Sequence, residues 1–258
     1  YILERGIYDA RGQLVDSEVP ESIFKMPSDL PRNRFGLGKW LTHPDNPLTA
    51  RVAVNQAWYL VFGRGIVETA EDFGNQGSLP SHPELLDWLA LDFQKNNWDY
   101  KRLIRQMVVS ATYKQSSVIR PKLSEIDPDN LLLARAPRYR RSAEMIRDNI
   151  LASSGLLVSK IGGRSTFPYQ PKGLWKEADV HSFFPGYKED YSNGLYRRSL
   201  YTFWKRNMPP PNMLIFDASS RAECQIRRQR SNTPLQALVL LNDPQILEGC
   251  RVLAENAW

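Results

Sequence analysis

The fold is decided by residues 47–87, PLTARVAVNQAWYLVFGRGIVETAEDFGNQGSLPSHPELLD, because one helix ends and another begins within this stretch. Thr49 is a good N-cap, and apolar residues then recur three and four positions apart. Asn55 is the odd member of that apolar face. Gly63 can adopt the left-handed conformation that ends a helix, so the sequence predicts a helix over residues 48–62.

The second helix of this stretch starts at a capping signal. The Ser81 hydroxyl can accept a hydrogen bond from the amide of Glu84, while the Glu84 carboxylate reaches back to the Ser81 amide. Pro83 suits the first turn, because the amides of that turn lack helical partners. Apolar residues then form a broad face, so a helix over residues 83–96 is predicted to pack into a core.

The rest of the chain also has mainly helical patterns. Further helices are predicted over residues 32–42, 100–114, 128–134, 142–157, 234–241 and 244–257. Residues 199–205 alternate in the manner of a β-strand, whereas residues 161–197 have no periodicity. We therefore expect a mainly α fold, a bundle-like single helical domain with a long irregular loop segment and one or two short β-strands.

The ends of the chain set the expected domain organisation. Residues 1–31 lack periodicity and contain three prolines that block regular helix, so they are expected to form an extended lead-in or linker. Residues 32–258 are expected to form the helical domain, with an irregular insertion at about 161–197. The chain begins without methionine and ends within an apolar helical pattern, so we expect a piece of a longer polypeptide.

Several motifs together resemble domain-of-unknown-function family 1553, a bacterial domain typical of planctomycetes. In chain order they are RFGLGKWL at 34–41, RVAVNQAWYLVFGRGIVETAEDFGNQGSLPSHPELLDWLA at 51–90, SATYKQS at 110–116, RRSLYTFWKRN at 197–207, Phe216-Asp217-Ala218, and RSNTPLQALVLLNDP at 230–244. The resemblance implies a domain at the C-terminal end of an exported multidomain protein, periplasmic or extracellular. It also implies a partner domain and a cytochrome-c-like domain upstream.

The two cysteines bear on cofactors. Cys224 and Cys250 belong neither to a haem-attachment CxxCH pattern nor to a CxxC metal knuckle, so we expect no cofactor in this segment. The family resemblance leaves haem possible in a separate upstream domain. Cys250 lies on an apolar helical stripe, so a bridge to Cys224 and a buried free thiol both stay open. No apolar run approaches the 18 or more residues of a membrane-spanning helix, so no membrane span is expected.

Arginine dominates the basic residues. The net charge is +6, and 23 of the 34 basic residues are arginines. A guanidinium can bind carboxylate, sulfate or phosphate at two points and can stack on aromatic rings. Ligand binding is therefore predicted at Arg197, Arg198, Tyr201, Trp204, Arg206, Arg228 and Arg230, with an anionic glycan as the ligand. The alternative is that these arginines pair with the 28 acidic residues inside the chain.

Three residues are the candidates for catalysis. Asp72, His82 and Asp217 would act as acid, base or ligand, because a helix N-terminus keeps an imidazole such as His82 neutral. In the structural alternative, His82 bonds a neighbouring carbonyl and Asp72 fixes a turn through an Asx-type bond. Glu177-x-Asp179-x-His181 could offer oxygen and nitrogen ligands, but its spacing matches no established metal motif, so no metal ligand is assigned.

These observations favour a binding function over a catalytic one. No nucleophile elbow, Walker loop, dinucleotide fingerprint or zinc-protease helix is present. Nucleic acid is not an expected partner, since no helix-turn-helix, zinc finger or RNA-binding signature accompanies the arginines. We interpret the chain as an accessory or binding domain that recognises an anionic polysaccharide or docks a neighbouring redox or catalytic domain. The alternative is a catalytic domain acting on polysaccharide.

Overall fold

The computed structural model describes residues 1–171, 173–174, 186–206 and 208–258. The chain forms two compact units, Tyr1–Arg138 (unit 1) and Tyr139–Trp258 (unit 2). Both units are built from helices, and β-structure in the described residues is limited to isolated bridges. The mainly α prediction is therefore confirmed. The expected division into a lead-in at 1–31 and a domain at 32–258 stays a prediction.

Unit 1 contains six α-helices around one apolar core. They are α1 (Arg34–Leu41), α2 (Thr49–Phe62), α3 (Pro83–Lys95), α4 (Tyr100–Val109), α5 (Ala111–Lys114) and α6 (Pro121–Ile126). Helix α2 packs against α3 and α4. Val54, Phe62, Leu89, Phe93 and Leu103 are buried in the core between these helices. The two helices predicted from residues 47–87 thus form the centre of unit 1, and Gly63 ends α2 with φ at +83°.

Two helix predictions in unit 1 are wrong in extent or place. The helix expected over 100–114 is interrupted at Ser110, whose backbone is extended and whose side chain accepts from the Tyr113 amide to start α5. The helix expected over 128–134 is absent, and α6 lies before it. There the carboxylate of Asp127 accepts from the amides of Leu131 and Leu132 at 2.8 Å each, and these bonds hold a series of turns.

The predicted capping box at Ser81 is also wrong, although the helix it announced is present. Helix α3 begins at Pro83 with His82 as its N-cap residue and without a side-chain capping bond. Ser81 is instead attached to the loop after α2, because its amide and its hydroxyl both donate to the Ile66 carbonyl, at 2.9 and 3.2 Å. Ser81 therefore bonds to Ile66, which is distant in sequence, in place of the expected local partner Glu84.

Asn55 explains how the loop after α2 is held. Its side chain is fully buried, and its amide group donates to the Val67 carbonyl and accepts from the Val67 amide, both at 2.9 Å. Gly65 passes so close that an added Cβ would lie 2.8 Å from the Asn55 amide nitrogen. The odd residue on the apolar face of α2 is therefore a clamp on the loop backbone.

Unit 2 is also helical in the part of the chain that the structure describes. Its α-helices there are α7 (Ala143–Ser153), α8 (Pro211–Ile215), α9 (Pro234–Asn242) and α10 (Pro244–Ala257). Helix α10 packs on α7 and α9. Gly249 permits the contact with α7, since an added Cβ would lie 2.5 Å from the Ile150 side chain. Asp243 starts α10 by accepting from the amides of Gln245 and Ile246.

The β-strand predicted over residues 199–205 is wrong. Ser199–Tyr201 forms a 3₁₀ turn, and the segment makes only single bridges, such as Thr166 with Thr202. The reason is that the Ser199 amide donates to the Asp148 side chain on α7 at 2.7 Å, so it is not available to a strand partner.

Two further expectations concern the cysteines and membrane association. Cys224 and Cys250 are both free and exposed, so neither the bridge nor the buried thiol is found. Among the helices of the described residues, none has the length and apolar character needed to cross a membrane.

Candidate functional site

A buried arginine in unit 2 holds the segment that carries the first predicted ligand-binding residues. Arg147 lies on α7 and is only 8% exposed. It donates to the carbonyls of Leu195 and Arg197 at 2.8 Å each and to the side chain of Gln245 at 2.6 Å. Burial lowers the pKa of the Arg147 guanidinium to about 10, so it remains charged at neutral pH.

The spacing of Arg147 along its helix was a sequence signal for its burial, and it was not considered in the sequence analysis. Ala143, Arg147 and Leu151 are four residues apart on α7, and all three are buried. An arginine at this spacing shares the buried face of the helix. Because a buried guanidinium needs several acceptors, such an arginine is expected to hold neighbouring segments together.

Arg197 and Tyr201 form a pair inside unit 2. The Arg197 guanidinium donates to the carbonyls of Lys160, Gly162 and Arg164 at 2.6 to 3.0 Å, and Arg197 is only 6% exposed. Its guanidinium carbon lies 3.9 Å from the centroid of the Tyr201 ring. The Tyr201 hydroxyl accepts from the Gly162 amide at 2.7 Å. Both side chains therefore hold the 160–164 loop in place.

Trp204 carries an exposed arginine on its ring. The guanidinium carbon of Arg221 lies 4.4 Å from the Trp204 ring centroid, and the indole nitrogen of Trp204 donates to the Ser220 carbonyl at 3.3 Å. The ring also packs against the small core of unit 2 that contains Phe216. Trp204 is half-buried, so its position is fixed while Arg221 remains at the surface.

Asp217 joins two arginine-rich segments. Its carboxylate pairs with Arg140 and accepts from the Ser231 amide at 2.8 Å and from the Ser231 hydroxyl at 2.8 and 2.9 Å. Arg140 also donates to the Phe216 carbonyl at 3.1 Å and to the Ser231 carbonyl at 3.2 Å. The Asp217 backbone has φ at +59°, a conformation that aspartate tolerates better than most residues. This carboxylate thus has the partners of a structural group.

Three more arginines belong to these segments. The Arg228 guanidinium donates to the Glu144 carboxylate at 2.6 Å. Burial raises the pKa of Glu144, but the hydrogen bond from Arg228 and smaller contributions outweigh burial and hold that pKa below its ordinary value. Arg230 lies 4.5 Å from the centroid of the Tyr139 ring, and Arg141 lies 5.8 Å from the same ring.

We give the name Arg–aromatic cluster to two rings and the arginines that lie over them: Tyr139, Arg141, Trp204, Arg221 and Arg230. Arg140 links the two parts of the cluster. It follows Tyr139 in the chain, it is held by Asp217 and Ser231, and it lies over the Phe216 ring. Phe216 in turn belongs to the core that Trp204 contacts. Residues 139–148 and 217–231 contain seven arginines and four carboxylates, a formal excess of three positive charges. The cluster therefore combines fixed rings, ordered guanidiniums and excess positive charge.

The structure places the seven predicted ligand-binding residues in three different situations. Arg197 and Tyr201 are engaged with the loop backbone. Trp204 and Arg230 belong to the cluster, and Arg228 lies beside it in its ion pair with Glu144. Arg198 and Arg206 are exposed, and in the described part of the chain no contact joins either side chain to the cluster. Sequence reasoning did not single out Tyr139 and Arg141, although the motif YRR at 139–141 has the same arginine–aromatic composition.

Asp72 and His82, the other two candidate catalytic residues, lie in unit 1. The Asp72 carboxylate accepts from the Gly74 amide at 2.7 Å, which is the Asx turn of the structural alternative. The Thr69 hydroxyl donates to the Asp72 carbonyl at 2.8 Å. The imidazole Nδ1 of His82 lies 3.0 Å from the Ser81 hydroxyl oxygen. Asp217 belongs to unit 2, so the structure offers no common site for the three residues within one unit.

The structure also bears on metal binding. In the described ranges, no group of three or more histidine, cysteine or carboxylate side chains is arranged to hold a metal ion. Glu177, Asp179 and His181 lie outside the described residues.

Comparison with known proteins identified one family. The family model of PSD1, described as "Protein of unknown function (DUF1553)", matches residues 33–258. Neither the curated proteins nor the solved structures contain a match to the chain.

Proposed function

The chain belongs to the PSD1 family of proteins of unknown function (DUF1553), and we propose that it is an accessory binding domain that recognises an anionic polysaccharide. One observation carries the proposal. The Arg221 guanidinium lies over the Trp204 ring, and the Arg230 guanidinium lies over the Tyr139 ring, in a part of unit 2 where arginines outnumber carboxylates.

Stacked arginines suit this function for a geometric reason. Stacking uses the flat face of the guanidinium and directs its N–H groups outward along the edge, which is the edge that binds sulfate or carboxylate at two points. The aromatic ring also restricts the arginine before the ligand arrives, so less conformational entropy is lost on binding. A polysaccharide with repeated anionic groups can contact several such arginines at once.

The ion pairs beside the cluster support the same function. Asp217 and Glu144 each neutralise one arginine, Arg140 and Arg228, and these two pairs fix the positions of the segments. In sequence, the segments that carry the cluster contain more arginines than carboxylates. The binding role predicted for Arg197 becomes a positioning role in this proposal, since its donors hold the 160–164 loop.

The setting of the domain is part of the proposal. We infer that it works at the C-terminal end of an exported bacterial multidomain protein, in the periplasm or outside the cell. A partner domain and a cytochrome-c-like domain lie upstream, and any haem belongs to that upstream domain. The support for this setting is the family resemblance.

Retention on a dextran sulfate matrix tests the proposal, with unsulfated dextran as the control matrix. The triple variant Arg141→Ala, Arg221→Ala and Arg230→Ala is expected to elute at much lower salt than the wild type, because exposed charges are screened by salt. The charge-matched variant Arg105→Ala, Arg120→Ala and Arg251→Ala loses the same formal charge at exposed positions outside the cluster. It is expected to elute near the wild type.

Two results would contradict the polysaccharide proposal. Equal losses in the two triple variants would mean that only net charge matters, and equal retention on sulfated and unsulfated dextran would mean that anions are not recognised. In the second case, docking of a neighbouring redox or catalytic domain would be the better function for the cluster. The catalytic alternative at Asp72, His82 and Asp217 stays a prediction.

A further inference from the structure

Unit 2 contains a second concave surface that the Arg–aromatic cluster does not use. It is a cleft of about 450 Å³ between residues 169–171, α8, α9 and the first residue of α10. This volume falls within the range of roughly 300–1,000 Å³ that is usual for small-molecule sites. Its walls are mostly apolar, and Ile215, Leu238 and Val239 supply much of them.

The polar lining residues of the cleft are Tyr169 and Gln170 on one side and Asn212, Asn242 and Asp243 at the corner between α9 and α10. Asn212 donates its amide nitrogen to the Asp243 carboxylate at 3.0 Å, and Asn242 donates its own to the Leu238 carbonyl at 2.8 Å. Asp243 accepts in addition from the first amides of α10. Each amide nitrogen uses one of its two hydrogens on a protein acceptor, so the corner offers a ligand the Asp243 carboxylate, the two amide oxygens and one further amide hydrogen on each asparagine.

The charge of the cleft is opposite to that of the chain. Among the described residues that line it, Asp243 is the one charged group and none is a lysine or an arginine, although the chain carries a net charge of +6. An anion entering the cleft would meet the Asp243 carboxylate without a cation beside it among these lining residues. A ligand that donates hydrogen bonds meets complementary acceptors instead.

The rim of the cleft exposes apolar surface that a ligand would cover. Leu238 is 56% exposed although it lines the cleft. Burying such a side chain against an apolar ligand is favourable. Leu241, one helical turn further along α9, is 71% exposed and does not line the cleft.

We propose that this cleft is a binding site for a small molecule with an apolar body and a hydrogen-bond-donating end, an amine or an alcohol. The apolar body lies against Ile215, Leu238 and Val239, and the donating end faces Asn212, Asn242 and Asp243. The site is separate in chemistry from the cluster, which selects anions, so it does not depend on the proposed polysaccharide function.

Three probes with the same apolar body test the proposal on the full chain. They are 4-phenylbutylamine, 4-phenylbutanol and 4-phenylbutyrate, titrated in a calorimeter. The amine and the alcohol are expected to bind saturably, and the carboxylate is expected to bind at least about tenfold more weakly, because it brings a negative charge to an acceptor-lined corner. Failure of all three probes to bind saturably, or equal binding of the carboxylate, would overturn the proposal.

Two matched variants locate the site. Leu238→Trp places a larger side chain in the cleft and is expected to weaken binding of the amine by about fivefold or more. Leu241→Trp makes the same change on the same helix outside the cleft and is expected to leave the affinity within about twofold. If the two variants bind the amine equally well, the ligand is not in this cleft. Circular dichroism of both variants checks that α9 is intact.

Discussion

Replacing Asp217 by alanine removes the carboxylate that connects Arg140 to Ser231, and it leaves alanine at a backbone φ of +59°. Asp217→Asn is the matched variant, because asparagine keeps the shape of the side chain and tolerates the left-handed backbone. The two substitutions therefore share the loss of charge. They differ in the backbone cost and in the bonds from Ser231, which the asparagine oxygen can still accept. Comparing them separates the contribution of the charge to the free energy of unfolding from these other two.

The expected magnitude follows from the contacts. Arg140 and Asp217 have side chains that are 20% and 23% exposed, so their charge-assisted hydrogen bond is only partly screened and contributes about 2 kcal/mol. The bonds from Ser231 add about 1 kcal/mol, and alanine in the left-handed conformation costs about 1 kcal/mol more. Asp217→Ala should lose about 4 kcal/mol, and Asp217→Asn about 2 kcal/mol.

Urea unfolding followed by far-ultraviolet circular dichroism measures both losses. Hydrogen exchange at the Ser231 amide is expected to accelerate in Asp217→Ala, because that amide loses its acceptor. A free energy of unfolding within about 0.5 kcal/mol of the wild type in Asp217→Ala would refute the reasoning. Such a result would favour the catalytic alternative for Asp217, for which loss of turnover without loss of stability is expected.

The other predictions concern Glu144 and Asn55. The pKa of Glu144 is held below its ordinary value of 4.5, so its contribution to stability is present above that pH and is lost as pH falls through the folded-state pKa. In Arg228→Met, burial remains without its counter-charge and raises that pKa, so the contribution should instead fall as pH rises above 4.5. Melting temperatures across the acidic range measure this change of sign, and parallel pH profiles for both proteins would contradict it. Asn55→Ala should lose about 3 kcal/mol in urea unfolding, since it leaves the buried amide and carbonyl of Val67 unpaired, whereas exposed Gln56→Ala should lose less than about 0.5 kcal/mol. A small loss in Asn55→Ala would show that the clamp is dispensable.

The parts of the fold that sequence predicted well depend on neighbours along the chain. Gly63 ends α2 with a hydrogen bond to the Tyr59 carbonyl, and Pro83 opens α3 in a first turn that needs no amide partner there. Two of the failures involve serines whose partners are distant. Ser81 bonds to Ile66, and Ser199 bonds to Asp148, so a local pattern could not indicate their conformation.

For the candidate site, the sequence predicted the kinds of residue involved and not which of them come together. An excess of arginine beside aromatic residues indicated guanidinium–ring contacts, and such contacts are present at Trp204 and Tyr139. Apart from the helical spacing of Arg147 with Ala143 and Leu151, the sequence did not indicate which arginines turn inward, because Arg147 and Arg197 are buried through backbone carbonyls contributed by several segments. Carbonyl acceptors carry no sequence signature, and this is why the internal arginines were not distinguished from those at the surface.

The most direct measurement of the central claim is chemical modification of guanidinium groups by phenylglyoxal, read by mass spectrometry with and without a dextran sulfate oligosaccharide. We predict that the oligosaccharide protects Arg141, Arg221 and Arg230 and leaves exposed Arg105 and Arg120 unchanged. Protection of Arg105 and Arg120 to the same degree, or unchanged modification of the three cluster arginines, would contradict anion recognition by the cluster.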